Sequence, residues 1–307
     1  MRPLKPGDRV QLVAASSALL GQGTAARLAA GCAVLETWGL EVPGAEELER
    51  RWLTRHWGYL AGRDDQRLAD LDREAAPLLA CVRGGWGSAR LLEHLQAQNR
   101  QLPRRWLLGF SDVTSLLWAQ GAQGQGGAVH GPLLTTLAAE PAWSQARLRQ
   151  VLFGESLPPL QGVGWCGGVA TGPLLVGNLT VATHLLGTPL LPPLAGAILV
   201  LEDVGEAPYR IERMLTHWRL CGALQQLAGI GLGRFSGCDD QDDPEVAAER
   251  VAGRRFSLEQ VLRERTADLG IPLVAGLPVG HEPGNAALPL GRTARLDGNA
   301  GTLDLLD

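Results

Sequence analysis

The sequence predicts an α/β protein of two domains: a mostly parallel sheet with flanking helices in the amino-terminal lobe, then a smaller mixed α/β lobe. Three observations carry this. Short apolar runs without polar alternation recur between segments of helical periodicity, which is the pattern of a parallel sheet covered on both faces. A Pro/Gly-rich stretch with Pro158, Pro159, Gly162, Gly164, Gly167 and Gly168 interrupts that pattern. Beyond it the alternation resumes, and it ends in short strands separated by Gly291 and by Asp297-Gly298. The expected division is 1–156 for the first domain, 157–168 for a linker and 169–307 for the second domain.

Val10–Ala15 reads as the first strand, and Thr24–Trp38 as a helix with Leu28, Cys32 and Leu35 inside, closed by Gly39. Arg63–Leu71 is amphipathic, with Leu68 and Leu71 expected inside and Asp64, Asp65, Arg67 and Asp70 outside. Pro77–Val82 and Trp106–Gly109 read as buried strands, followed by helices Ser88–Leu95 and Val113–Gln120. In the second half, strands are expected at Ala170–Val176, Ala195–Leu201, Ala228–Gly233 and Pro272–Gly276. Helices are expected at Leu179–Leu186, Pro208–Leu220 and Ser257–Asp268, and short tail strands at Ala287–Leu290, Thr293–Asp297 and Thr302–Leu306. Gly229-x-Gly231-x-Gly233 reads as a helix C-cap with tight packing.

Composition narrows the function. The 307 residues are 45% hydrophobic, enough for a large core, and 28 Lys+Arg against 32 Asp+Glu give a formal charge of −4. That near-neutral balance argues against a nucleic-acid binder, which needs a basic face. The longest apolar run, Leu194–Leu201, falls far short of the roughly 20 residues that span a bilayer. Arg2, Lys5 and Arg9 before Val10–Leu20 loosely imitate a signal peptide. Asp8, Gln11, Ser16 and Ser17 interrupt it, so a first strand and a cytoplasmic protein are expected. Cys32, Cys81, Cys166, Cys221 and Cys238 stand singly, without zinc spacing, and read as small buried hydrophobes in a reducing compartment. Lys5 is the one lysine and precedes a Pro6-Gly7-Asp8 turn signal, which leaves little room for lysine chemistry.

Leu107-Leu108-Gly109-Phe110-Ser111-Asp112-Val113-Thr114 is the most informative segment. A buried strand ends, a glycine permits a sharp turn, and a serine stands where a helix begins and free N–H groups collect. Ser111 there is either a nucleophile or, with Asp112, a helix cap. Val113 occupies the second glycine position of the G-x-S-x-G elbow, so this is not an ordinary α/β-hydrolase match. Arg83-Gly84-Gly85-Trp86-Gly87-Ser88 is a second strand-to-helix turn, whose glycines let backbone N–H groups face a ligand. It fits neither the P-loop nor the dinucleotide spacing.

A serine nucleophile needs a base. His94, His184 and His217 lie in helical patterns, His56 in an arginine-rich loop, and His130 at a strand end before Gly131-Pro132. His281, in the irregular loop Gly280-His281-Glu282-Pro283-Gly284-Asn285, is the one placed to reach into a cleft. Glu202 and Asp203 end the apolar run Ala197–Leu201 and point to opposite faces, so only one can orient an imidazole. Glu206, just before Pro208, suits the dipole of the following helix instead.

These segments, in this order, resemble the LD-carboxypeptidases, a family of serine peptidases. Leu4-Lys5-Pro6-Gly7-Asp8, Gly177-Asn178-Leu179-Thr180, Gly187-Thr188-Pro189, Leu201–Glu206 with Tyr209-Arg210, and Leu288-Pro289-Leu290-Gly291 extend the likeness over nearly the whole chain. The resemblance implies Ser111 as nucleophile, Glu202 as orienting acid, His281 as base, and the N–H groups of Gly85 and Asp112 as oxyanion hole. It implies no metal and no organic cofactor, a homodimer, and a murein tetrapeptide losing its terminal D-Ala during cell-wall recycling. Trp86 and Phe110 stand where the family usually has tyrosines, and Ala15 where it has a proline. Two alternatives remain open: a peptidase of the microcin C self-immunity type, with an aromatic nucleotide site near Trp86 or Trp52 and Trp57, and a non-catalytic two-lobed binding protein. Arg83 and Arg210 are the candidates for a substrate carboxylate.

Overall fold

The computed structural model describes residues 1–72, 75–239 and 244–306. The strands, in chain order, are β1 Val10–Val13, β2 Leu78–Cys81, β3 Trp106–Gly109, β4 Ala128–His130, β5 Leu160–Gln161, β6 Val163–Cys166 and β7 Val169–Asn178. They continue with β8 Ile198–Val204, β9 Gly229–Ser236, β10 Leu273–Ala275, β11 Leu288–Pro289, β12 Thr293–Asp297 and β13 Thr302–Leu305. The helices are α1 Thr24–Thr37, α2 Ala45–Leu48, α3 Asp64–Asp72, α4 Ser88–Ala97, α5 Thr114–Ala122, α6 Leu134–Leu137 and α7 Ala142–Phe153. After these come α8 Leu179–Leu185, α9 Pro208–Leu220, α10 Pro244–Val251 and α11 Leu258–Thr266. The chain forms two compact units, Met1–Leu157 with Thr188–Pro192 and Pro283–Gly291, and Pro158–Gly187 with Pro193–Glu282 and Arg292–Asp307. The two-part α/β class read from the sequence is the class observed.

In unit 1, β1, β2, β3 and β4 run parallel side by side, and β11 closes the edge antiparallel to β4. These strands lack polar alternation because both faces are covered: Leu12, Leu78, Leu108 and Val129 are wholly buried on the face that joins Leu28 and Leu35 of α1, and Val13, Leu79 and Leu107 are buried on the other. Gly31 lets α1 lie against α6 so closely that a Cβ would overlap the Leu134 carbonyl. Helices α6 and α7 had no counterpart in the sequence reading.

In unit 2 the strand order is β5-β13-β12-β7-β8-β9-β10-β6. Strands β7 to β10 are parallel and the others antiparallel. Its two outermost strands, β5 and β6, are consecutive in the chain and joined by Gly162 alone, so the sheet curls back toward itself.

That curl corrects the expected linker. Residues 160–166 are strands, and their glycines serve close packing: a Cβ on Gly162 would lie 2.5 Å from the Ala275 carbonyl, and one on Gly164 would overlap that of Gly298. Gly229, Gly231 and Gly233 likewise lie inside β9 and cap no helix; a Cβ on Gly231 would be 2.8 Å from Leu277. The tail strand near 287–290 belongs to unit 1 rather than to the second domain, paired with β4.

The charged face of α3 is a further correction. Asp64, Arg67 and Asp70 are buried, because they satisfy one another and nearby backbone groups rather than water. Among the cysteines, Cys32, Cys81 and Cys238 are buried as expected, but Cys221 is exposed. Burial pushes the Cys32 thiol up to about 12 and that of Cys238 to about 11, so neither is a ready thiolate.

Gly164→Ala should lower stability by about 2 kcal/mol, the usual cost of overpacking, whereas Gly126→Ala, with no neighbour within 4 Å, should be neutral or slightly stabilising. Urea midpoints for the two variants measure the difference.

Candidate active site

In unit 1, β3 delivers the chain to Gly109, where a Cβ would lie 2.7 Å from Val113. Phe110 is extended, and Ser111 then turns left-handed, with φ 62°, into a short 3-10 turn over Ser111–Val113 that runs into α5. Among the described residues only Ser111 and Asn99 combine a side chain with positive φ. That conformation costs an L-residue about 1–2 kcal/mol, so the surroundings must hold it. The side chain of Phe110 meets His130, buried at the end of β4, edge-on at 5.7 Å between ring centroids.

The glycine-rich turn lies directly on this elbow. A Cβ on Gly84 would fall 3.0 Å from both Cβ and Oγ of Ser111, and one on Gly85 would overlap the Ser17 hydroxyl. Gly85 and Gly87 have φ of 106° and 127°, open to glycine and strained for other residues. Asp112 does cap a helix, but not its own: its Oδ2 accepts from Ser88 N, the first amide of α4, at 2.8 Å. Ser88 Oγ returns a bond to the Asp112 carbonyl at 2.6 Å. The elbow and the turn are thereby tied together by the same pair of residues. Phe110, the residue at the N-cap of that 3-10 turn, gives it no side-chain cap.

In unit 2, Glu202 lies near the carboxyl end of β8 with no exposure, and its Oε2 accepts from His281 Nδ1 at 2.7 Å. A register shift between Leu201 and Asp203 marks this end of the β8–β9 pairing. Asp203 is turned to other donors: Asn178 Nδ2 at 2.9 Å, Thr180 N at 2.9 Å, Thr180 Oγ1 at 2.8 Å and its neighbour Val204 N at 2.8 Å. Gly280, with φ 140°, lets the histidine loop come in; a Cβ there would lie 3.0 Å from the Arg234 carbonyl and 3.3 Å from Glu202 Oε2. Desolvation pushes the Glu202 carboxyl above its ordinary range, and the hydrogen bond from His281 opposes that push. With Glu202 ionised, Nδ1–H donates to it and Nε2 is left able to take a proton.

The remaining candidates sort by their partners. His94 bonds Asp64 at 3.1 Å. His56, His184 and His217 are exposed, and among the described residues none of them pairs with a carboxylate as His281 does. Arg83 spends one nitrogen on the Ala18 carbonyl at 2.7 Å, and Arg210 pairs with Glu206 at 3.4 Å. Trp52 is wholly buried and donates to Asp70, so it offers no stacking face. Trp57 is held against Arg63 and Arg90, while Trp86 is 47% exposed. Among the described residues no group of three or more His, Cys, Asp or Glu could hold a metal ion, and no helix is long and apolar enough to cross a membrane. Sequence reasoning missed Ser17, Asp64 and Arg67 as supports of the turn. The available signal was charge at every third position of α3.

Comparison with known proteins gives this arrangement its class. Residues 10–131 match the N-terminal domain, and residues 171–296 the C-terminal domain, of the LD-carboxypeptidases, a class of serine peptidases. A Synechocystis sp. relative carrying a carboxypeptidase name is 48% identical over 99% of this chain and 96% of its own. The murein tetrapeptide carboxypeptidase of Pseudomonas aeruginosa is 38% identical over 85% and 86%. The fold matches the muramoyltetrapeptide carboxypeptidase of Oxalobacter formigenes, with a TM-score of 0.77 at 24% identity over 97% of this chain and 99% of that one. It also matches the microcin C7 self-immunity protein MccF, with a TM-score of 0.80 at 20% identity over 100% and 98%. The chain belongs to the LD-carboxypeptidase family. Membership makes it an enzyme, which sets aside the reading as a non-catalytic binding protein.

The buried acid supplies a signed prediction. Because the folded-state pKa of Glu202 lies above its unfolded value, its ionisation opposes folding at neutral pH; the penalty is absent below about pH 4, where the carboxyl is protonated in both states. Glu202→Gln should therefore match or exceed the wild type in thermal stability at pH 8, and its advantage should shrink at pH 4. Calorimetric scans at the two pH values measure it; an advantage that grows on acidification contradicts the sign.

Proposed function

We propose that the chain hydrolyses the amide bond between an L-centre and a C-terminal D-amino acid, releasing D-Ala from murein tetrapeptides during cell-wall recycling. The observation that carries the reading is the Glu202–His281 pair. A carboxylate hidden from water and bonded to one imidazole nitrogen has a clear chemical use, to fix the tautomer and orientation of a base. Ser111 on its left-handed turn, with the glycine loop against it, supports the other half. The relatives named for murein peptides supply the substrate class.

In this reading His281 takes the Ser111 proton as Oγ attacks the scissile carbonyl, and the N–H groups of Gly85 and Asp112 receive the developing oxyanion. The C–N bond then breaks, the amine of D-Ala leaves with the proton from His281, and an acyl-serine remains. Water, activated by the same imidazole, releases the shortened peptide and restores Ser111. Glu202 keeps its charge throughout and stabilises the imidazolium. Losing one oxyanion donor costs about 10²–10³ in rate. No cofactor enters these steps. The reading brings with it a cytoplasmic homodimer acting on small peptides.

Ser111→Ala should lower D-Ala release at least about 10³-fold, with an unchanged far-UV spectrum. Incubation with L,D- and D,D-linked muropeptides should yield D-Ala from the L,D substrate. Cleavage confined to a peptidyl-nucleotide of the microcin C type would move the assignment to the detoxifying peptidases. Normal turnover by Ser111→Ala would end it.

A further inference from the structure

Arg67 is wholly buried on α3, and its guanidinium reaches three groups. Nη1 donates to the Gly87 carbonyl at 2.8 Å and also to that of Ala15, while Nη2 is paired with Asp64. Asp64 is itself held by Arg90 Nη2 at 2.7 Å and His94 Nε2 at 3.1 Å, so the anion that orients Arg67 has little freedom of its own. Ala15 leads into Ser17, which holds the other end of the glycine turn. Ser17 N donates to the Gly84 carbonyl at 3.3 Å, and Ser17 Oγ accepts from Trp86 N at 3.0 Å. Gly85 stands between these anchors.

We infer that Arg67 is a positioning residue for the reaction: by bonding Ala15 and Gly87 together it fixes the direction of the Gly85 N–H beside Ser111. The inference rests on the proposed oxyanion role of that amide. A turn of glycines has many accessible shapes, and an oxyanion donor is worth its full effect only when it is aimed before charge develops. The planar fork of arginine offers donors in divergent directions, so one group spans two carbonyls and a carboxylate. A lysine ammonium, a point charge on a flexible stem, cannot hold all three at those positions.

The test uses the full chain and murein tetrapeptide, with kcat expressed per folded molecule well below the unfolding temperature. Arg67→Lys should lower kcat about 10- to 100-fold, leave KM within about threefold, and leave the midpoint of the pH–rate profile in place, since Glu202 and His281 are untouched. Asp64→Asn, which weakens the anchor of Arg67, should lower kcat about 3- to 10-fold with the same unchanged KM. A purely structural role predicts lower unfolding midpoints with wild-type kcat per folded molecule, and that result overturns the inference. If Arg67→Lys does not fold, Asp64→Asn decides, and an unaltered kcat there overturns it. Ser111→Ala runs alongside. An inactive serine variant with wild-type kcat in Arg67→Lys removes only the role of Arg67, whereas an active serine variant removes the proposed site and this inference together.

Discussion

No side chain can stand at Gly84 without pressing on Ser111, and none at Gly85 without striking Ser17. The close approach of this turn to the elbow therefore requires bare backbone, and bare backbone gives up side-chain packing, the ordinary source of rigidity. What remains is polar bonding. The turn is held by its own carbonyls and amides: Gly84 and Trp86 to Ser17, Gly87 to Arg67, and Ser88 to Asp112. The last bond matters twice, since Asp112 also follows the left-handed serine. One carboxylate orders the start of α4 and steadies the residue beside Ser111, which is how a conformation costing about 1–2 kcal/mol can persist at a strand end.

Unit 2 meets a different constraint. Two adjacent carboxylates, Glu202 and Asp203, end a buried strand, and alternation along the strand sends them apart. Asp203 gathers four donors from the start of α8 and its own neighbour, and is saturated. Glu202 is given His281. A fully buried acid helped by His281 and, less, by Asn178 is poorly compensated, so desolvation leads the upward push on its pKa. As a device for stability the arrangement is weak. As a device for holding one imidazole tautomer it is economical, because few competing bonds pull Glu202 elsewhere.

Much of this was legible in the residues. Trp106–Gly109, Pro208–Leu220 and Thr293–Asp297 were read with their observed ends, because apolar runs, a proline at the first helical position and turn glycines mark boundaries locally. The strand-to-helix turns at Ser88 and Ser111 were legible for the same reason. The reading failed where a residue's environment is set from far along the chain. Residues 157–168 looked like a linker because their glycines suit flexible chain as well as crossing strands, and only partners such as Gly298 and Ala275 tell the two apart. Helix α6 is a single turn, and α7 buries polar Ser144 and Arg147 beside Leu148, Val151 and Leu152, which blurs its apolar periodicity. On α3, helical periodicity with apolar Leu68 and Leu71 assigned every charge to solvent, a rule that breaks when charges have partners waiting inside.

Those partners explain why the exception exists. Burying Arg67 and Asp64 costs several kcal/mol per ion before their mutual attraction returns any of it, and well-packed apolar residues often do as well or better for stability. Asp70 repeats the pattern one turn later, paired with Arg55 and accepting from Trp52 Nε1 and from Ala14 N, each at 3.3 Å. Both ion pairs end on the same few residues, the exit of β1 at Ala14 and Ala15, from which Ser17 reaches the glycine turn. An apolar α3 could fill the same volume, yet it could donate nothing to Ala15 or Gly87, and those carbonyls would lose the bonds that set the turn. Directional bonds to backbone groups are what buried charge offers and hydrocarbon cannot, so the polar stripe on α3 is best understood as geometry obtained at the expense of stability.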